Sequence, residues 1–125
     1  MTFQISKRFE FSASHLLEGL ADDHPCARLH GHNYRVEVVA EADDLDERGF
    51  VVDYHELRPL ADHLRATLDH RHLNDVIPGQ PSAERIAWWL YEWCKGHLPD
   101  EVARRLVAVR VSETPRTWAE YRPGP

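Results

Sequence analysis

Residues 30–40 read HGHNYRVEVVA, and the alternation puts His30, His32, Tyr34, Val36, Val38 and Ala40 on one face of a strand. Working outward, residues 3–15 (FQISKRFEFSASH) repeat the pattern, with Phe3, Ile5, Phe9, Phe11, Ala13 and His15 on the odd positions of a second strand. The polar run EADDLDERG is expected to turn, followed by a short extended FVVD. Asp53 and Glu56 have the spacing of a capping box for a helix whose stripe is Leu57, Leu60, Ala61, Leu64 and Leu68, ending near residue 70. Pro59 is awkward there, so the regular helix is expected to start nearer residue 57 or to have an irregular first turn. Ser82, after Pro81, is expected to cap a second helix, AERIAWWLYEWCK. RRLVAVRVSE predicts a third strand with Val107, Val109, Val111 and Glu113 on one face, and TWAEY a short fourth. Strands, then helices, then strands indicate an α+β layer structure and a single domain over residues 1–125.

A chain of 125 residues can bury a core without disulfides. Its 42% hydrophobic and 29% charged residues exclude an intrinsically disordered chain. A net charge of −6 argues against general nucleic-acid binding. No apolar run approaches the roughly 20 residues that span a bilayer. The alternating start MTFQISKRFEF is unlike a signal peptide, so Cys26 and Cys94 are expected to be free thiols in a reducing cytoplasm.

Nine histidines, in tight groups, are the unusual feature. His30 and His32 stand at i and i+2 on a strand, so both imidazoles can reach one ion. Gly31 between them carries no side chain on the opposite face, which permits close backbone approach there. His15 ends the other long strand and can supply a third nitrogen, although spacing alone does not assign it. Three histidines with an open fourth position are the pattern of catalytic zinc, whose Zn–N distances are about 2.0–2.1 Å. A bare HxH is also an ordinary polar strand start. Cys26, four residues before His30, can be a fourth, structural ligand or an acidified thiolate beside a cation, whereas Cys94 on the apolar helix belongs to the core. Asp69 and His70 read either as an acid–base pair or as favourable charge at a helix end. Glu113 continues a valine face; it is either an exposed strand end or a bidentate acceptor for an amidine-like edge such as that of a pterin.

FSASH, CARLHGHNY, GFVVDY, LDHRHLND, PSAE and VSET, in this order, resemble the 6-pyruvoyltetrahydropterin synthase family over nearly the whole chain. Within it they are most similar to the 6-carboxy-5,6,7,8-tetrahydropterin synthase branch. The resemblance implies zinc on His15, His30 and His32, a catalytic Cys26 with Asp69 and His70, and a pterin-anchoring Glu113. It puts Ser82 and Glu84 at the pterin border, where Ala83 lacks a hydroxyl often found, and Arg28 is the candidate for the phosphates. The three residues between Cys26 and His30 resemble the carboxy-forming branch more than the animal pyruvoyl-forming enzymes. The implied fold is the tunnelling fold, a four-stranded antiparallel sheet with two helices on one face, whose subunits close barrels in a homohexamer with intersubunit active sites. The implied reaction turns 7,8-dihydroneopterin triphosphate into 6-carboxytetrahydropterin, releasing triphosphate and acetaldehyde, for queuosine-type 7-deazapurines. Alternatives are triphosphate elimination to 6-pyruvoyltetrahydropterin, or a non-enzymatic zinc module with Cys26 as a ligand.

Overall fold

The structure, a computed structural model, describes residues 2–124. β1 (Phe3–His15) and β2 (His30–Ala42) pair antiparallel over their full length, from Phe3 opposite Ala42 to His15 opposite His30. This register puts the odd positions of β1 and the even positions of β2 on one face, as the period-2 pattern requires. Phe9, Phe11 and Ala13 from β1 and Tyr34, Val36, Val38 and Ala40 from β2 are buried there. A Cβ on Gly31 would meet the Ala13 carbonyl oxygen at 3.3 Å, so the missing side chain lets the strands close up as expected.

β4 (Leu106–Thr114) follows antiparallel on the far side of β2, and β5 (Thr117–Tyr121) pairs antiparallel with β4. Between Val39 and Ala40 the pairing jumps from Ala108 to Leu106, leaving Val107 as the extra residue of a bulge. Leu106, not Val107, therefore joins Val109 and Val111 in the core. A two-residue β3 (Arg71–His72) pairs parallel with Ala13 and Ser14 of β1. The expected four-stranded antiparallel sheet is thus a five-stranded mixed one, in the order β3-β1-β2-β4-β5, and it is not closed on itself.

The helices cover the apolar face. α1 (Pro59–Thr67) begins with its proline in the first turn, where a missing N–H costs nothing. Asp53 does cap, but it caps a separate 3-10 turn over Tyr54–Leu57 by accepting from the His55 N–H; no capping box with Glu56 forms. α2 (Ala83–His97) is capped by Ser82, whose hydroxyl accepts from the Arg85 N–H. A third, one-turn helix, α3 (Asp100–Ala103), was not expected from the sequence. Leu57, Leu60, Leu64 and Leu68 meet Ile86, Leu90 and Cys94 over the sheet in one core. Each fully buried leucine contributes about 1.5–3 kcal/mol. On the uncovered face, Arg110 bridges Glu37 and Glu120 at 2.5 and 2.6 Å, and Arg122 adds a third pairing.

Candidate active site

His15, His30 and His32 lie on the core face where β1 and β2 run past the helices, and their ligating nitrogens all fall within 4.8 Å of one another. His15 is fully buried. Its Nδ1 donates to the Pro81 carbonyl at 2.8 Å, and His30 Nδ1 donates to the Arg28 carbonyl at 2.6 Å. A carbonyl can only accept, so both rings carry their proton on Nδ1 and, when neutral, present a bare Nε2. Those two Nε2 atoms face each other at 2.9 Å. Two lone pairs so close repel unless something positive stands between them. His32 Nε2 is also buried and has no hydrogen-bond partner. A proton can satisfy two of these nitrogens; a metal ion satisfies all three. Burial, the largest influence, lowers the His32 pKa against the opposing pull of Glu113, which keeps the ring neutral and ready to ligate. The 3.8 Å approach of Glu113 to His32 is therefore a contact with a neutral ring, not an ion pair. The trio suits an ion that accepts imidazole nitrogen, such as zinc, copper, iron or nickel.

Asp69 and His70 meet at 3.1 Å between Asp69 Oδ1 and His70 Nδ1. The same carboxylate accepts from the Ser12 N–H at 2.9 Å, and this bond, ahead of His70, holds its pKa below the ordinary carboxylate value. His70 adopts a left-handed backbone (φ 60°) while its N–H donates to the Ser12 carbonyl at 2.6 Å. A non-glycine residue in that conformation is uncommon and marks an over-determined position. The His70 ring is exposed, and together with His32 it lines a cavity of about 520 Å³.

Glu113 lines a second cavity, of about 340 Å³, with Glu84, Thr117 and Trp118. Trp118 is exposed, so a flat aromatic face stands beside the two carboxylates. Beneath, the hydroxyl of buried Tyr34 is a polar group without a partner. Cys26 sits half-buried in a 3-10 turn (Pro25–Ala27) on the loop joining β1 to β2, and its N–H donates to His24 Nδ1. The thiol is not part of the ligating group the three histidines form. Arg28 is exposed, and Ser82 already uses its hydroxyl to cap α2. The geometry therefore brings Glu113 to the three histidines, whereas His70 lines a cavity with Ser12, Ser14, Gly31 and Asn33, which face the other side of the sheet.

The sequence profile of the 6-pyruvoyl tetrahydropterin synthase family matches residues 4–124. The chain belongs to the 6-pyruvoyl tetrahydropterin synthase family. It is 31% identical to 6-carboxy-5,6,7,8-tetrahydropterin synthase of Bacillus subtilis, covering 98% of this chain and 86% of that one. The enzyme of the same name from Synechocystis is 35% identical, covering 94% and 91%. A dihydroneopterin monophosphate aldolase of Pyrococcus furiosus is 33% identical, covering 82% and 83%. Among solved structures, 6-pyruvoyl tetrahydropterin synthase of Caenorhabditis elegans superposes with a TM-score of 0.84 at 25% identity, covering 99% of this chain and 97% of that one. Each of these relatives bears the name of a pterin-processing enzyme.

Within this family member, several groups that complete the site carry no signature in the sequence. The carbonyls of Pro81 and Arg28, which orient two imidazoles, are main-chain groups that any residue supplies. Asn74 is different: its amide donates to the Leu16 carbonyl at 2.8 Å and accepts from the Leu16 N–H at 2.9 Å, and Gln80 grips Glu18 in the same way. Together they pin the chain just beyond His15. Asn74 lay inside the quoted LDHRHLND, and only its backbone-mimicking role was hidden.

Proposed function

We propose that the chain is a zinc-dependent 6-carboxy-5,6,7,8-tetrahydropterin synthase, converting 7,8-dihydroneopterin triphosphate to 6-carboxytetrahydropterin with release of triphosphate and acetaldehyde. The observation that carries the metal is the pair of bare imidazole nitrogens 2.9 Å apart on His15 and His30, beside the unpartnered His32 Nε2. The names of the Bacillus subtilis and Synechocystis relatives favour the carboxy product. His15, His30 and His32 hold zinc, which when bound supplies Lewis acidity to the substrate's side-chain hydroxyls. Glu113 accepts two hydrogen bonds from the 2-amino and N3–H edge of the pterin, with Glu84 and Ser82 at the border of that groove. Cys26, as thiolate, takes a carbon-bound proton from the side chain. His70, held by Asp69, moves protons to and from the ring or side-chain oxygens, and the exposed Arg28 offers a cation to the phosphates. We place the enzyme in the cytoplasm as a homohexamer of barrels, in which the open edges of β3 and β5 pair between subunits.

Product identification tests this. Zinc-loaded protein incubated with dihydroneopterin triphosphate is expected to yield 6-carboxytetrahydropterin and one acetaldehyde per turnover by mass spectrometry. A 6-pyruvoyl product without acetaldehyde moves the chain to the triphosphate-eliminating activity. No turnover, with sulfur in the first shell by zinc-edge X-ray absorption, makes it a structural zinc module.

A further inference from the structure

Both main-chain polar groups of Cys26 are occupied. Its carbonyl accepts from the Leu17 N–H at 3.1 Å, and its N–H donates to His24 Nδ1 at 3.0 Å. The first bond joins backbone to backbone and survives a change of side chain. The second depends on one imidazole. No residue of the turn Pro25–Ala27 is fully buried, so apolar packing does little to fix it. A backbone N–H can only donate, so His24 Nδ1 accepts, and the neutral ring carries its hydrogen on Nε2. An imidazolium holds hydrogen on both nitrogens and accepts nothing. The cap on this turn therefore exists only while His24 is neutral.

Another turn of the same molecule shows the alternative. Over Tyr54–Leu57 the same bond to the second residue onward is made by Asp53, whose carboxylate accepts from the His55 N–H at 2.9 Å. Aspartate is among the preferred residues for such a cap, and histidine is not. Two residues before Cys26, however, a carboxylate would set a negative charge beside a thiol that has to lose its proton. Like charges disfavour that ionisation. Neutral His24 supplies the acceptor without the charge.

We infer that His24 is a positioning residue for Cys26: its neutral ring holds the turn that presents the thiol, and protonation of the ring releases that turn. The inference rests on the role given to Cys26 above. His24 is exposed, as are Asp22, Asp23 and Arg28, the charged side chains that flank it along the loop. Among the described residues no ion pair or hydrogen bond from another element reaches its ring, so the proton comes straight from solvent. Histidine is the side chain whose charge ordinarily changes between about pH 5 and 8.

The test follows turnover of dihydroneopterin triphosphate by the zinc-loaded full chain, with zinc content measured for each protein. His24→Ala removes the acceptor, whereas His24→Asn keeps a neutral one of the reach that closes an Asx turn. At about pH 7.5, His24→Ala should lose about tenfold in kcat through the missing cap, with KM, zinc content and circular dichroism unchanged. His24→Asn should come back to within about threefold of wild type. A fall to about pH 6 should cost the wild type several-fold more of its kcat than it costs His24→Asn, since the zinc ligands, the thiol and His70 are common to both. On a Cys26→Ala background, His24→Ala should change nothing further, because the cap acts through the thiol. The inference is overturned if His24→Ala keeps the wild-type kcat, if His24→Asn is as slow as His24→Ala, or if wild type and His24→Asn share one pH profile. Should His24→Ala fail to fold, those two pH profiles decide alone. A Cys26→Ala protein that turns over like wild type refutes the base assignment and this inference with it. A slow Cys26→Ala beside a His24→Ala of wild-type rate refutes this inference alone.

Discussion

Removing the metal should cost the protein a measurable share of its thermal stability. In the metal-free state, His15 and His30 keep two bare nitrogens 2.9 Å apart beside a third unpartnered nitrogen on His32, and His15 has no access to water that would relieve this. An ion that binds only the folded chain stabilises it by about 2.7 kcal/mol when free metal stands at one hundred times its dissociation constant. The unfolding entropy of 125 residues, at about 2.1 cal/mol/K per residue, is about 0.26 kcal/mol/K. Stripping zinc with a chelator should therefore lower the melting temperature by about 10 °C. Differential scanning calorimetry at fixed protein concentration and stepped free zinc reads this directly, and the midpoint should climb with the logarithm of zinc. His32→Ala should flatten that climb. A wild-type protein that melts at the same temperature in chelator and in excess zinc would refute the assignment of the three histidines as a metal site.

Cys26→Ala should keep its zinc and fold yet lose about 10²–10⁴-fold in turnover, as removal of a general base does, whereas loss of zinc on this substitution would make the thiol a ligand. Burial pushes the Cys94 thiol up to about 12, so iodoacetamide near pH 8 should add one label, found by peptide mass spectrometry on half-buried Cys26. Glu113→Gln should weaken dihydroneopterin binding by about 2 kcal/mol, roughly thirtyfold, because an amide puts a donor against a donor; unchanged affinity by fluorescence titration rules out the pterin anchor. His63 stacks on Trp93 at 4.0 Å and on Trp89 at 5.3 Å, and burial, aided by His97, lowers its pKa from 6.5 in the folded chain. Below pH 6.5 the unfolded chain takes up this proton first, so acid costs stability there and nothing changes above. His63→Phe should keep the stack and remove that part of the acid loss; parallel melting-against-pH curves for the two proteins would contradict it.

The shared face of His30 and His32 was legible because a strand's period of two is rigid, whereas spacing did not assign His15; the register of β1 on β2, which sets it opposite His30, completes the cluster. Most of β1, β2, β4 and β5 followed from the same alternation. The exceptions have local causes. β3 is two residues long, too short for any period, and exists because Arg71 and His72 fall beside Ala13 and Ser14 after the turn at His70. The bulge at Val107 swapped Leu106 into the core, a change of phase that no hydrophobic pattern in LVAVRV announces. Asp53 looked like the start of a helix because the chemistry of capping is the same for a 3-10 turn; Pro59 marked the true start. The pairing of Asp69 with His70 was visible as adjacency, but its anchoring on the Ser12 main chain was not, since it spans 57 residues of sequence.

The pairing of His15 with His30 also bears on the loop between them, residues 16–29. These two side chains form the neck of that loop, and an ion gripped there would act as a cross-link, shrinking the space the segment can explore as a covalent bridge does. Asn74 and Gln80 clasp its first residues, Leu16 and Glu18, and the Arg28 carbonyl ties its last turn to His30. In the exposed stretch Gly19 to Asp23 the one such tie among the described residues is the Ala21 carbonyl, which accepts from the His24 N–H at 2.8 Å. A backbone cut within that stretch would still leave Cys26 tethered through the His30 side and the rest of the loop held through the His15 side. The Cys26 thiol is thus carried by a short leash, and its position depends on the clasp at the neck more than on the continuity of the chain that leads to it.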